Sequence, residues 1–399
     1  MVAKRSNYKD FMWAIELCRF GLKVTGLWPE NHKTNKNNFI SNIHATIVFI
    51  MITFVSVIPL ICSLVRIWGN MILMIDNLQV TITLTAIWAK FVIMRWKRSA
   101  ISSIVNMIAE DWMYLKINAE RNVMIRQAQI ARFVIISGYF MVIFGFSVVI
   151  ILPSFGVHYR LLTNLTAGVR ALPMQGYYFY DTDKSPQFEF TLAAQAITTF
   201  LACVTYTSVD AFLALIIFHI CGQLENFRYQ LLNLASSDNF ANALRYNVET
   251  HLRLIRFADN IENVYAVLML TLLFYFSSVF CLYSYPLVTV TSDETNNKSF
   301  SRIGFSIIGV IMLLAHTFFY CGGGQLMAKE CEAVYRALCD LEWYKWEPRE
   351  SRALILLMIR ASEPFRLTAG KIFPLSMVTF CSVLKTSAGY ISFLLAKRN

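Results

Sequence analysis

The sequence predicts an all-α integral membrane protein with seven transmembrane helices. Hydrophobic residues make up 56% of the 399 residues and charged residues only 15%, whereas an ordinary soluble domain carries roughly 25% charged residues. The mean hydropathy is +0.50, and apolar segments long enough to cross a hydrocarbon core of roughly 30 Å recur along the chain. A large soluble helical protein is the alternative, but so few charges would leave much of its apolar surface facing water.

Seven apolar segments qualify as membrane spans, because a helix needs about 20 residues to cross the bilayer. In chain order they cover residues 39–65, 71–94, 133–155, 188–220, 264–290, 303–322 and 372–396. The second span contains Asp76, Asn77 and Gln79, which are uncommon at membrane depth. The segments after spans two, four and six are long and rich in Lys, Arg and Glu, and we expect amphipathic helices there.

Charge and glycosylation signals together favour a cytoplasmic N-terminus and an extracellular C-terminus. Lys and Arg prefer cytoplasmic segments, and they are frequent in residues 1–38 and in the three long loops. Sequons at Asn164 and Asn297 then fall in extracellular loops, where glycans are attached. Residues 1–38 lack an apolar segment with a cleavage site, so no signal peptide is expected. A G-protein-coupled receptor has the opposite orientation, and its Asp-Arg-Tyr and Asn-Pro-x-x-Tyr motifs are missing at spans three and seven.

Other functional classes find little support in the sequence. The net charge of +11 comes from basic residues scattered between apolar runs, as at Arg95, Lys97 and Arg98, so we infer contact with anionic membrane lipid and no nucleic-acid binding. Six scattered histidines and nine cysteines predict no metal site, disulfide framework or cofactor. The Gly322–Gly324 run ends a membrane helix and does not follow a strand, so it predicts no phosphate-binding loop. We expect no catalytic residues and no enzymatic activity.

Several segments carry a family resemblance. The last span contains PLSMVTFCSVLKTS at 374–387, the sixth ends in YCGGGQL at 320–326, and HICGQL at 219–224 begins the connection from the fourth span to the fifth. Further matching positions are Leu172, Pro173, Tyr178, Gln195, His251, Ile255, Phe257, Ile261, Glu262, Tyr265, Tyr390, Leu394 and Leu395. Together these segments resemble the insect odorant receptors over nearly the whole chain, most specifically in the last span.

The details favour one kind of member. The shared co-receptor of that family has a much longer segment between spans four and five than residues 221–263, so the chain resembles a ligand-tuned subunit. Its general character is similar to the hymenopteran receptor sets. Ala388 and Gly389 stand where many members have Tyr-Ser, which limits what can be transferred about pore geometry. The last-helix pattern of the gustatory relatives is missing.

The resemblance implies an odour-gated, non-selective cation channel in the plasma membrane of olfactory sensory neurons. It implies a heterotetramer with the odorant co-receptor, in which each subunit's seventh helix lines a central pore. The expected organisation is a cytoplasmic N-terminal segment at 1–38, transmembrane helices one to six at 39–325, a cytoplasmic anchor segment at 326–371, and the pore helix at 372–399. The odorant pocket would lie in the outer half of the transmembrane region 39–325.

Span seven has a pattern that suits a pore. Hydroxylated, aromatic and charged residues recur every three or four positions, which places them on one side of a helix. They are Ser376, Thr379, Ser382, Thr386, Tyr390, Phe393 and Lys397. Such a stripe can line a water path, although Ser and Thr also hydrogen-bond neighbouring membrane helices. We predict pore positions Thr386, Tyr390, Phe393 and Lys397, and the resemblance places the gate at the last two.

Lys385, Lys90 and Asp210 are charged residues well inside predicted spans. Lys385 is near the middle of span seven and would face an aqueous vestibule or extend toward the cytoplasm. Lys90 lies closer to the end of span two, and we expect its ammonium to reach the interface. Asp210 in span four is interpreted as structural, close to a hydrogen-bonded Tyr or His.

The predicted ligand is a small volatile molecule, which needs an apolar cavity with few polar groups. The resemblance places this cavity among the outer halves of spans two, three, four and six. Candidate lining residues are Met74, Leu78, Ile82, Phe144, Val148, Ile151, Phe190, Gln195, Thr199, Ser306, Val310 and Leu313. Plain helix packing is the competing interpretation for each. The aromatic run at 177–180 is the candidate lid.

A membrane transporter for a small apolar solute is the alternative function. Transporters often show repeated halves with matched broken helices. Two halves of similar hydropathy are not apparent, and seven spans divide poorly. The channel interpretation is therefore favoured.

Overall fold

The computed structural model describes residues 2–29, 35–114, 117–151, 172–174, 176–234, 240–290 and 297–398. These residues form eleven α-helices, numbered here in chain order. They are α1 (Val2–Val24), α2 (Asn35–Ile50), α3 (Ile58–Arg66), α4 (Met71–Trp96), α5 (Arg98–Tyr114), α6 (Asn118–Phe146), α7 (Gln187–Leu232), α8 (Phe240–Val290), α9 (Asn297–Cys339), α10 (Pro348–Ala361) and α11 (Met377–Arg398). Two π-helical turns, Met51–Val57 and Ser147–Ile151, join α2 to α3 and extend α6.

Six segments of the described residues are long and apolar enough to cross a membrane. They are Phe39–Arg66, Met71–Trp96, Asn118–Ile151, Gln187–Leu232, Phe240–Tyr285 and Ile303–Lys345. Each overlaps one of the first six predicted spans, so the helical, multi-pass class is confirmed.

Three of the candidate membrane helices are much longer than a bilayer crossing requires. α7, α8 and α9 contain 46, 51 and 43 residues, and at about 1.5 Å per residue each is roughly twice the thickness of the hydrocarbon core. Much of the charged sequence after spans four and six therefore extends the same helices. The segment after span two forms the separate helix α5, which buries Ile101, Ile104, Ile108 and Trp112 along one stripe.

The last helix begins at Met377, five residues later than expected. Residues 373–374 pair antiparallel with 368–369 in a short ladder, and Gly370 and Lys371 turn between them with φ of 64° and 61°. Pro374 has no N–H for a helical hydrogen bond, and the Thr379 N–H donates to Ser376 Oγ at 3.4 Å as the helix starts. With 22 residues α11 is long enough to cross a bilayer, and its assignment as the seventh span stays a prediction.

The buried core is centred on α7. In the apolar window of this helix 72% of the residues are buried, against 11% for α6. α7 packs on α1, α4, α6, α8 and α9. The outward face of α6 exposes Phe133, Ile136, Phe140 and Ile143, as expected for a helix that faces lipid.

Candidate ligand-binding cavity

A cavity of about 240 Å³, here called the upper cavity, lies inside the helix bundle. It is bounded by α4, α6, α7, α8 and α9 and by Met174 of the loop before α7. The lining residues are Gln79, Val80, Thr83, Leu84, Ile87, Met141, Val142, Gly145, Phe146, Val148, Val149, Met174, Thr199, Ala202, Cys203, Tyr206, Tyr275, Tyr283, Phe305, Ile308, Gly309, Met312, Leu313 and His316. The mixture of Met, aromatic and branched side chains suits a small apolar ligand.

The geometry of the last turns of α6 directs several of its side chains toward this cavity. Its last turns are π-helical from Ser147 to Ile151, and the wider turn places Val148 and Val149 both on the cavity. π-bulges of this kind occur frequently at functional sites because they rotate the side chains that follow.

Most polar side chains of the wall are engaged within the bundle. Gln79 Nε2 donates to the Leu282 carbonyl oxygen at 2.9 Å, which ties α4 to α8. The hydroxyls of Thr83 and Thr199 donate to carbonyl oxygens one turn earlier, at 2.6 and 2.7 Å. Because these protons are committed to backbone acceptors, shape and apolar contact dominate what the cavity can recognise.

The loop before α7 contributes Met174 to the wall of the upper cavity. Gln195 holds it, because its Oε1 accepts from Met174 N at 3.2 Å and its Nε2 donates to Met174 O and to the Tyr178 hydroxyl, each at 3.0 Å. The Tyr178 hydroxyl donates in turn to Val55 O at 2.9 Å. Burial raises the pKa of Tyr178 to about 12, so this phenol stays neutral and able to donate at physiological pH.

The aromatic residues at 177–180, which were predicted as the lid, are partly packed against neighbouring side chains and partly exposed. The Arg66 guanidinium lies over Tyr177, with its Cζ 3.3 Å from the centroid of the tyrosine ring. The Tyr180 hydroxyl is 2.8 Å from Thr191 Oγ1. Phe179 is 88% exposed. Among the described residues of this loop, Met174 reaches the cavity wall, and it lay outside the predicted run.

The structure brings three of the twelve predicted lining residues to this cavity, namely Val148, Thr199 and Leu313. The other nine lie elsewhere. Gln195 and Ser306 are buried off the cavity, Met74, Leu78, Ile82 and Val310 are half-buried, and Phe144, Ile151 and Phe190 are exposed.

Sequence reasoning missed the contribution of α8, through Tyr275 and Tyr283, and the inward face of α4. Asp76, Asn77 and Gln79 are all buried. Since polar side chains in a membrane helix usually face the bundle interior, they could have identified that face.

An ion pair lies below the cavity, between α4 and α7. Lys90 Nζ is 2.6 Å from Asp210 Oδ1 and donates to the Tyr320 hydroxyl at 2.9 Å. It also lies 3.4 Å from the centroid of the Tyr206 ring. Lys90 is 1% exposed, so the expectation that its ammonium reaches the membrane interface was wrong. Asp210 is structural and bonded to a tyrosine, Tyr320, as expected.

The predicted pore and glycosylation positions are only partly visible. Thr386 is exposed in the single chain, and its hydroxyl donates to Ser382 O at 2.9 Å. Lys385 is exposed as well. The side chains of Tyr390, Phe393 and Lys397, that of Asn297 at the start of α9, and all of Asn164 lie outside the described residues. Within the described part of the chain, no cluster of His, Cys, Asp or Glu could hold a metal ion.

These features define a multi-pass helical membrane protein with an apolar cavity inside its bundle. A family model described as 7tm Odorant receptor matches residues 70–388. The chain belongs to this odorant receptor family, and the resemblance found in the sequence is confirmed.

Individual proteins agree with the family match. Odorant receptor 22c of Drosophila melanogaster is 28% identical over 221 residues, or 51% of this chain and 53% of that protein. Odorant receptor 10 of Aedes albopictus is 21% identical over 235 residues, or 57% and 60% of the two chains. The chain thus spans little more than half the length of the curated relatives it matches.

A solved structure has the same fold throughout. The insect olfactory receptor OR5 from Machilis hrabei, in complex with eugenol, superposes with a TM-score of 0.83 over 98% of this chain and 99% of that one, at 17% identity. The structure of OR5 alone gives a TM-score of 0.79 over 96% and 97% of the two chains.

Proposed function

We propose that the chain is the odorant-binding subunit of a ligand-gated, non-selective cation channel. The observation that carries the proposal is the upper cavity, a largely apolar space of about 240 Å³ in the bundle of an odorant receptor family member. That volume fits a small volatile molecule, and the few polar groups favour one with a single oxygen function. The solved structure of OR5 with eugenol supports this ligand class by analogy.

The subunit type, assembly, location and topology are proposed by analogy with the family. The chain would be a ligand-tuned subunit, of hymenopteran type, that assembles with the odorant co-receptor into a heterotetramer in the plasma membrane of olfactory sensory neurons. Residues 1–38 and 326–371 would face the cytoplasm, residues 39–325 would form the membrane body, and 372–399 the pore helix. The exposed position of Thr386 on α11 supports a pore-facing side. Neither a catalytic role nor a cofactor is part of the proposal.

The experiment is co-expression with the co-receptor and electrical recording during application of an odorant panel. We expect rapid odour-evoked cation current. Gly145 lines the upper cavity, and a Cβ added there meets nothing within 4 Å. We expect Gly145→Leu to reduce the volume of the cavity and to raise the half-maximal odorant concentration about tenfold or more, which corresponds to about 1.4 kcal/mol.

The matched control is Gly304→Leu on α9, where an added Cβ also meets nothing within 4 Å and which is not a residue of the cavity wall. It should leave the response unchanged. An equal loss of odorant sensitivity in both variants would show that the upper cavity is not the odorant site. Solute uptake without channel conductance would instead identify the transporter alternative.

A further inference from the structure

One carbonyl oxygen of α8 lacks the backbone donor that an α-helix normally supplies. The carbonyl oxygen of Leu282 would accept from the N–H one helical turn later, but that residue is Pro286, which has no N–H. Gln79 of α4 supplies the donor instead, because its Nε2 lies 2.9 Å from Leu282 O. A side chain of the neighbouring helix thus satisfies a carbonyl that the sequence of α8 leaves unpaired.

This bond fixes the orientation of the Gln79 amide. A backbone carbonyl oxygen can only accept hydrogen bonds, so the amide atom that faces Leu282 O must be the nitrogen and not the oxygen. Gln79 Oε1 therefore points away from α8. Gln79 is 3% exposed, and it belongs to the wall of the upper cavity.

Gln79 Oε1 is open to the upper cavity. It accepts no hydrogen bond from the described residues, and, unlike Asp210 Oδ2, it is not completely covered by protein atoms. Because Gln79 is buried from the outside and lines the upper cavity, the uncovered surface of this oxygen faces the cavity. A buried acceptor in a native structure is usually paired, so the occupant of the cavity is expected to supply a donor.

Water suits this position poorly. A buried water typically makes two to four hydrogen bonds to polar groups, whereas the wall around Gln79 is largely apolar. The hydroxyls of Thr83 and Thr199 already donate to backbone oxygens. An organic ligand that carries one hydroxyl would pair with the oxygen and bury its remaining surface against the apolar wall.

The charge and volume of the cavity restrict that ligand further. The described wall contains no Asp, Glu, Lys or Arg, so an ionised ligand would have no counterion inside the membrane. An apolar cavity of about 150 Å³ holds benzene, and the upper cavity, at about 240 Å³, has room for one ring with a short substituent.

We propose that Gln79 makes the upper cavity selective for neutral hydrogen-bond donors, namely alcohols and phenols of about this size. The ligand hydroxyl donates to Gln79 Oε1, while Gln79 Nε2 stays bound to Leu282 O. This inference rests on the proposed function, because it concerns an odorant in the upper cavity. It adds the chemical class of the ligand and the residue that selects it.

The probes are 1-(4-fluorophenyl)ethanol and 4-fluoroacetophenone, which have the same carbon skeleton and differ in that only the alcohol has an O–H. Binding to the full-length chain in lipid nanodiscs is followed by fluorine NMR, which needs no current. We expect saturable binding of the alcohol with a Kd about tenfold or more below that of the ketone, since the ketone would leave the buried acceptor unpaired. Equal affinities, or no saturable binding of the alcohol, would overturn the proposal.

Gln79→Met tests the assigned residue, because it keeps the length of the side chain and removes the acceptor. It should bring the two Kd values together by weakening the alcohol and not the ketone. The control is Thr85→Val on the same helix, which removes an exposed hydroxyl that donates to Thr81 O at 2.7 Å and does not line the cavity. It should keep the preference for the alcohol. A preference that survives Gln79→Met would contradict the role of Gln79.

A second variant covers the case in which Gln79→Met does not fold because Leu282 O has lost its donor. Pro286→Ala restores an N–H one turn after Leu282, so the double variant Gln79→Met with Pro286→Ala leaves this carbonyl paired within α8. It should show the same loss of preference for the alcohol, and a preference that persists would overturn the proposal.

Gly145→Leu separates this inference from the proposed function. It should weaken the binding of both probes to the wild-type amide by a similar factor, because Gly145 lines the same cavity. Equal Kd values for alcohol and ketone, both raised by Gly145→Leu, would leave the upper cavity as the odorant site and defeat only the selection by Gln79. Binding that Gly145→Leu does not change would lie elsewhere and would defeat both.

Discussion

The ammonium of Lys90 and the carboxylate of Asp210 lie 2.6 Å apart between α4 and α7, with 120 residues of chain between them. Both helices are candidate membrane spans, and a charge buried in a membrane is tolerated when it is paired. The Tyr206 ring beneath the ammonium packs edge-on against His316, with centroids 5.1 Å apart. Because His316 lines the upper cavity, the ion pair and the candidate binding site share one packed unit.

Removal of Lys90 should destabilise the protein strongly. Lys90→Met would leave the Asp210 carboxylate buried without its cation, and breaking a buried pair in this way costs about 3–5 kcal/mol. We expect a lower Tm for the detergent-solubilised chain, measured by fluorescence-detected size exclusion after heating. The double variant Lys90→Met with Asp210→Leu should recover most of the loss. If the single variant is as stable as the wild type, the pair does not hold α4 to α7.

The loop before α7, which we propose as a lid, should control how long an odorant stays bound. Gln195→Leu removes three hydrogen bonds to Met174 and Tyr178, each with a net value of about 0.5–1.5 kcal/mol. We expect faster current decay after odorant washout and a higher half-maximal concentration. Thr191→Val is the control, since it removes the hydroxyl contacts with Tyr180 and Gln187 O at the edge of the loop and leaves the Gln195 bonds in place. Identical washout kinetics in Gln195→Leu and the wild type would show that the lid does not limit release.

The Met141 side chain should set an upper limit on ligand length. Met141 lines both the upper cavity and a second space of about 160 Å³ between α6, α7 and α9, so it forms part of the partition between them. Met141→Ala would open this partition, and each methylene of a ligand that then contacts apolar wall adds about 0.8 kcal/mol. The response to a series of unbranched alcohols should shift toward longer chains. Val142→Ala is the control, because Val142 lines only the upper cavity. An equal shift in both variants would mean that general enlargement, and not the partition, is responsible.

The sequence predicts the fold well because its signals are local. Twenty apolar residues indicate a span wherever it packs, so the first six spans fall on observed helices. The ends of the helices are less predictable, since Lys, Arg and Glu end an apolar window and still favour helix. For this reason span four was placed to end near residue 220, whereas α7 continues to Leu232.

The site is harder to predict because it depends on helix rotation and on distant partners. On α4 the expected stripe was Met74, Leu78 and Ile82, whereas the cavity is lined by a neighbouring stripe that includes Gln79 and Thr83. A step of one position rotates the side chain by about 100°, so a stripe chosen one position away turns from the cavity. The signal for the inward face of α4 was its buried polar residues, which the apolar stripe did not include. The pairing of Lys90 with Asp210 has no local signature at all, because it is created by the packing of two helices.

The exposed side of α11 gives the last prediction, which concerns the proposed pore. Thr386 is exposed in the single chain, and its neighbour Ser387 is 1% exposed. In the complex with the co-receptor, Thr386→Cys should react with a charged methanethiosulfonate reagent while odorant is present, because a thiol must reach water to form the reactive thiolate. The reaction should change the odour-evoked current irreversibly. Ser387→Cys should be protected, as its side chain packs inside the subunit. Current that is unaffected in the Thr386→Cys channel, with surface expression verified by the same reagent carrying biotin, would place this face of α11 against protein or lipid and away from the ion path.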